Sequence, residues 1–360
     1  MRISARNPAA LDDFAAGTPE RVLALALDVT RHAQTRPGLL LLVLSPPLRR
    51  QRAGRLLDID SYQLVDNNKL MNKIALVTGA TRNLGFWLAQ GLAQRLEPTD
   101  TVYLTGRDAA RVAKSVKLLI GSRAEVRGEV LDVADGIAVG RFADVLAERH
   151  GGVDVIFSNH YARVQPDDDP RAVIDYYVDA NNLGTTRVLR SFAPLLRDGG
   201  RLLVVASRAG SLRALAPVLH PRFENLKTLD DVDRAICIWR DAVRNGRAAG
   251  QAWPAWINIP SKIGQVAAVR ALAGQRRAED LRRGILIASI SPGLIDTGAS
   301  RAWLELSGAP QPEEVAGPLL NLALDPSPHE AFYGELVHIG KEEPGPFGSV
   351  VRSGSIVPWK

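Results

Sequence analysis

Cysteine is almost missing from this chain. Cys237 stands alone in 360 residues, so no intramolecular disulfide can form and nothing points to secretion. Long apolar runs are missing as well. The longest, GLLLLVLSPPL from Gly38, is too short and too broken by proline to cross a bilayer. The N-terminus shows no basic segment followed by an apolar run and a small-residue cleavage site. These absences predict a cytoplasmic protein with no membrane partner. The six histidines are scattered without ligand spacing, so no metal site is expected. The net charge of +6 is not gathered on one stretch. Basic residues come in short pairs such as Arg49-Arg50, Arg276-Arg277 and Arg282-Arg283, without interleaved aromatics, so no nucleic-acid partner is expected. Arginine far outnumbers lysine, a bias that GC-rich coding explains more simply than function does; a polyanionic small molecule stays open as a ligand.

The chain does have the makings of a soluble core, with 46% apolar and 23% charged residues. From Met71 onward, β-like and α-like segments alternate. KIALVTG (73–79), VYLTG (102–106), VRGEVLDV (126–133), VDVIFSN (153–159), RLLVVAS (201–207), GILIASISPG (284–293) and GELVHIG (334–340) read as strands. Helical spacing falls between them at 84–96, 108–120, 136–150, 172–196, after the stretch WPAWINIPSKIGQ (253–265), and at 313–324. Strands separated by helices predict an α/β fold: a doubly wound, Rossmann-type parallel sheet that binds ligands at its strands' carboxyl ends.

Two stretches interrupt the alternation. Residues 209–252 are polar with a helical pattern and read as an inserted subdomain. Residues 294–312 carry Trp303, Gly308, Pro310 and Pro312 and read as a mobile flap over a cleft. Residues 1–70 fit poorly. Their ERVLALALDVTRHAQ echoes EVRGEVLDVADG further on, and Met71 reads as a natural beginning. The expectation is a remnant or overlong start, with a packed arm as the alternative. Residues 71–340 then form the main domain, and 341–360 a tail.

The sharpest local signal is TGATRNLG (78–85), between the first strand and the first helix. Glycines there let the backbone turn tightly and approach a pyrophosphate, while the helix N-terminus offers free N–H groups. The spacing is Gly-x5-Gly, weak by itself, but its position in the alternation points to a dinucleotide. Arg82 inside the loop and Arg107 after the second strand favour a 2′-phosphate, hence NADPH over NADH. Asp108 reads as a helix cap.

These residues together resemble the short-chain dehydrogenases/reductases, and within them the monomeric carbonyl reductases. VTGATRNLG, LTGRD, LDV, GGVDVIFSN, ANNLGTTRV, VVAS, WP before SKIG, and SPGLIDTG follow the family's order from Met71 to about His338. The resemblance implies a single Rossmann-type domain whose insertion covers the surface other members use to oligomerise, hence a monomer. It also implies cofactor contacts at Gly79, Thr81, Arg82, Asn83, Leu84, Gly85, Arg107, Asp132, Val133, Asn159, Lys262, Pro292, Gly293 and Thr297. Asn83 stands where the family has glycine. Ser158-Asn159-His160-Tyr161 replaces its Asn-Asn-Ala-Gly, losing two small residues beside the nicotinamide position.

The catalytic group departs further. The family uses Asn, Ser, Tyr and Lys, with tyrosine giving the proton and lysine lowering its pKa. Asn181 and Lys262 match, but Arg208 falls on the serine position and Asn258 on the tyrosine position. An amide donates a hydrogen bond but no proton near neutrality. Asn258 reads either as a helix cap or as a substrate contact. The expectation is an atypical NADPH-dependent ketoreductase acting on an aromatic ketone or quinone, such as an angucyclinone-type polyketide of antibiotic biosynthesis. The substrate's own hydroxyl would supply the proton, with Arg208 steadying the developing alkoxide. His160 and Tyr161 are rival donors. A non-catalytic NADP(H)-binding regulator and a dehydratase or cyclase on the same scaffold are the alternatives.

Overall fold

The computed structural model describes residues 72–344 and 350–360, except positions 299, 304 and 328, together with two short strands nearer the N-terminus. The chain divides into two units, 1–72 and 73–360. In the first, β1 (Val22–Leu25) pairs antiparallel with β2 (Leu40–Val43). The rest of the expected extension, 1–70, lies outside the described residues.

The second unit is built on an eight-stranded sheet. Its strands are β3 (Ile74–Val77), β4 (Thr101–Gly106), β5 (Glu125–Val130), β6 (Val153–Ser158), β7 (Leu196–Val205), β8 (Leu286–Ser291), β9 (Leu336–His338) and, last in the chain, β12 (Ser355–Val357). Their spatial order is β12-β9-β8-β7-β6-β3-β4-β5, all parallel except β12. β3, β4 and β8 are buried along their whole length. Such uninterrupted burial needs helices on both faces, which explains why these strands read as apolar runs rather than alternating ones. The chain leaves β3 for β4 and β5 on one side, then returns to β6 and continues on the other. The crevice at the carboxyl ends of β3 and β6 is therefore the switch point of the sheet.

The helices close over this sheet. α1 (Asn83–Arg95) packs against α8 (Pro312–Leu324); Gly91 allows this approach, since a Cβ there would lie 2.2 Å from Leu320 Cδ1. α2 (Ala109–Leu118) and α3 (Gly136–His150) start at Asp108 and Asp135, whose carboxylates accept from first-turn N–H groups, so the cap read at Asp108 is present. The helix expected over 172–196 is not continuous. It is α4 (Pro170–Val178), a π turn (Asp179–Leu183) and α5 (Gly184–Phe192). The extra backbone atoms of the π turn rotate Asn181 inward, where it is fully buried. The insertion holds several single helical turns and one long helix, α6 (Leu229–Arg244), which starts in a capping box at Thr228 and packs against both α4 and α7 (Asn258–Arg282). Its own small core joins Trp239, Trp253 and Phe223, with ring centres 6.2–6.3 Å apart.

The tail expected after residue 340 is not separate from the domain. β10 (Glu343–Pro344) pairs with β11 (Val350–Val351), and β12 adds an edge strand antiparallel to β9. Beyond it, Trp359 O accepts from Leu212 N at 2.8 Å, and Arg270 stacks over the Trp359 ring. Among the described residues no helix is long and apolar enough to cross a membrane.

Candidate active site at the switch point

The loop after β3 comes first. Gly79 has φ +63°, and a Cβ on it would lie 2.7 Å from His160 Cα. Gly85 leaves room for the Asn159 amide, which a Cβ would approach to 2.4 Å. Only glycine fits either place. Asn83 holds φ +48°, a conformation asparagine tolerates better than most residues, so the loop survives without the third glycine. Thr81 is pressed against Gly106, and Leu84 is buried behind the loop. α1 starts at Arg82 with no side-chain cap and no acidic residue in its first turn. Its leading N–H groups thus carry no side-chain cap, a condition that an anion site requires.

Charge converges on the same place. Burial, then the charges of Arg111, Arg163 and Arg107, hold the Arg82 guanidinium below its usual proton affinity. Arg107 lies over the Tyr176 ring at 5.3 Å. Four clustered guanidiniums beside an uncapped helix end suit a dinucleotide carrying an additional phosphate. Asp132 accepts from Ala134 N, fixing the turn that sets Val133 against Gly184. Asn159 donates to Thr78 O and Gly79 O, both at 3.3 Å, which ties the ends of β3 and β6 together. Gly293 has φ +78°, and Pro292 lies beside it at the end of β8. Thr297 Oγ1 caps the next turn by accepting from Ser300 N.

The two residues that follow Asn159 differ in role. His160 is enclosed: Nδ1 lies 3.0 Å from Thr78 Oγ1 and Nε2 lies 3.4 Å from Thr185 Oγ1. Burial, and then the Lys262 charge, push its pKa down to about 3, so it is neutral. A neutral ring with both nitrogens engaged inside the protein is a spacer rather than an acid. Tyr161 is 38% exposed and faces the cleft. Its hydroxyl lies 3.5 Å from Asn258 Oδ1, which also accepts from Tyr177 Oη at 3.0 Å. The Tyr161 and Tyr177 rings meet edge-on at 6.2 Å. Asn258 is the first residue of α7, and Ile257, not Asn258, occupies the cap position. The amide therefore does not cap the helix; its oxygen gathers two phenols.

Lys262 is buried one turn further along α7. Its ammonium donates to Val205 O at 3.3 Å and to Gln265 Oε1 at 2.8 Å, and sits 5.5 Å from the centre of the Tyr161 ring. Burial lowers its pKa to about 8. Asn181 binds the backbone of Ala162 on both sides, accepting from its N–H at 2.7 Å and donating to its C=O at 3.2 Å. It thereby fixes the segment that carries Tyr161. Arg208 is paired with Glu343 at 3.0 Å, and the same carboxylate accepts from Leu294 N at 2.7 Å. Its charge is thus already matched.

Lys262, Asn258 and Tyr161 come together as the sequence placed them, and Asn181 supports them from behind. Tyr177, Gln265 and Glu343 were missed. The first two read as ordinary helix residues, and Glu343 falls in the stretch taken for a tail; each acts through a contact distant in sequence. Over the cleft, Trp303 of the flap meets Trp256 at 5.7 Å and donates its indole N–H to Val164 O at 3.1 Å.

Residues 73–217 match the family model described as short chain dehydrogenase. Among curated proteins, the chain is similar to carbonyl reductase (NADPH) 1 of Mus musculus, 29% identical over 279 residues, covering 75% of this chain and 98% of that one. It is also similar to carbonyl reductase (NADPH) 1 of Sus scrofa, 28% identical over 272 residues, covering 74% and 91%. Among solved structures, salutaridine reductase from Papaver somniferum shares the fold, with TM-score 0.61, 19% identity and 74% and 99% coverage. Menthone neomenthol reductase from Mentha piperita does so with TM-score 0.58, 19% identity and 74% and 98% coverage.

Proposed function

We propose that this chain is an NADPH-dependent carbonyl reductase of the short-chain dehydrogenase kind, a reading its match over 73–217 supports, in which Tyr161 supplies the phenol that Asn258 lacks. Its similarity to carbonyl reductases supports the cofactor and the reaction class. The observation that carries the reading is the placement of the Tyr161 hydroxyl 3.5 Å from Asn258 Oδ1, with the Lys262 ammonium against its ring.

Gly79, Gly85 and the N-terminus of α1 would hold the pyrophosphate, Asn159 would keep their loop in place, and Arg82 and Arg107 would hold the further phosphate. The chemistry that NADPH would supply there is a hydride for the carbonyl carbon. Tyr161 gives its proton to the carbonyl oxygen. Burial raises the Tyr161 pKa, so the phenol stays protonated near neutrality, while the contact with Tyr177 and the Arg163 charge favour the phenolate left behind. Tyr177 and Asn258 hold the donor in place. The substrate is a flat aromatic ketone or quinone, of the angucyclinone type found among polyketide antibiotics, received between Tyr161 and the Trp256–Trp303 pair. α6 packs against α4 and α7, which supports a monomeric state.

The test is NADPH oxidation with hydroxylated aromatic ketones, followed by absorbance of the reduced nicotinamide. Tyr161→Phe should lower kcat by ~10²–10⁴-fold while NADPH affinity stays within a few fold of wild type. Undiminished turnover in that variant returns the proton to the substrate's own hydroxyl. No oxidation by wild type with any such ketone, despite NADPH binding, overturns the reductase reading.

A further inference from the structure

Behind the cleft, α7 carries a polar side chain with no water to face. Gln265 is 2% exposed and lies one turn after Lys262, on the same face of the helix. Its oxygen accepts from Lys262 Nζ at 2.8 Å. Its nitrogen donates to Asn181 O at 3.0 Å and to Thr185 Oγ1 at 3.1 Å. Thr185 in turn donates to Asn181 O at 2.8 Å. Chemistry alone fixes the direction of this amide. An ammonium can only donate and a carbonyl can only accept, so the reverse orientation would place donor against donor and acceptor against acceptor. Each polar atom of the Gln265 side chain is thus engaged, and each partner is itself buried.

The arrangement matters because Lys262 is a charge taken out of water. Two of its three ammonium hydrogens are committed, to Val205 O and to Gln265 Oε1. The titratable groups facing it are His160 and Tyr161, both on the loop after β6. His160 is neutral and Tyr161 presents its ring, so neither offsets the charge. Carbonyl dipoles must do so.

We propose that Gln265 is a positioning residue: its amide joins Lys262 to the Asn181 carbonyl, keeps the ammonium charged in the buried wall and aims it at Tyr161. Only the task given to Lys262 rests on the reductase reading; the tie itself does not.

The experiment measures the proton affinity of Lys262 directly, in the full chain without cofactor. The rate of its acylation by acetic anhydride is followed against pH and mapped by peptide mass spectrometry. Wild type should show a midpoint near pH 8. Gln265→Leu, which keeps volume but removes the acceptor, should move the midpoint down by about one unit, a tenfold change in proton affinity. Gln265→Glu, which keeps an acceptor and adds charge, should move it up. The basic limb of kcat should move with it in each variant. A merely space-filling Gln265 predicts lower melting temperatures and an unmoved midpoint, and that result, or a shift of the same sign in both variants, overturns the proposal. Thermal melts confirm that each variant is folded. A wild type that binds NADPH without consuming it defeats the reductase reading alone, because the acylation midpoint still decides the role of Gln265.

Discussion

At the scale of single residues, His160 shows how a titratable side chain can be read two ways. Beside the nicotinamide position it resembles a proton donor. Enclosed between Thr78 and Thr185, it is a strut. Its folded pKa of about 3 against an ordinary 6.5 carries a linkage consequence. Above pH 6.5 it is neutral in both folded and unfolded chains, and stability is whole. As pH falls from 6.5 towards 3, the unfolded chain takes up a proton that the folded one refuses, so stability drops by about 1.4 kcal/mol per pH unit. Urea unfolding of His160→Gln across this window should show that much less acid sensitivity, at some cost in baseline stability. An unchanged slope would mean that the imidazole takes up its proton while the chain is still folded.

At the scale of elements, the insertion stands on its own aromatic core. Trp239 is fully buried, and its indole N–H makes no hydrogen bond, so its contribution is packing. Trp239→Ala should cost about 3–5 kcal/mol in denaturant unfolding, and Trp239→Phe far less. The elements also divide by how far the sequence could show them. β3, β4, β6 and β8 were legible because both faces are covered, which leaves unbroken apolar runs ended by turn residues. The phosphate loop was legible because its glycines serve local backbone needs, and the cap at Asp108 because it acts within one turn. The break in the helix at Asp179–Leu183 was not legible: a π turn adds one residue to a helical pattern without altering its composition. Nor was β12, whose three residues become a strand only through pairing with β9. In the site, the loss of tyrosine at 258 was legible and Tyr161 was one of two candidate donors, but its contact with Asn258 was not legible. Tyr161 reaches Asn258 from 97 positions away in the chain, a distance no local pattern spans.

At the scale of the whole molecule, α6 seals the faces of α4 and α7, and the end of the described chain returns to seal the insertion. Ser211 Oγ donates to Pro358 O at 2.7 Å, and Lys360 pairs with Glu224 at 2.8 Å. Light scattering during gel filtration should give the mass of one chain, 39.0 kDa, at micromolar concentration; a doubled mass would place a pairing surface elsewhere on the fold. One consequence concerns the loop after β6, where three neighbours divide the work. Asn159 and His160 are fastened to Thr78 in the loop after β3, and Tyr161 faces the cleft. Whatever settles that loop also steadies Tyr161, the proposed proton donor. Under the proposed reaction this coupling predicts an ordered course, with nucleotide binding before ketone and leaving after the alcohol, which product-inhibition kinetics would read; random binding would mean that Tyr161 is set without the nucleotide.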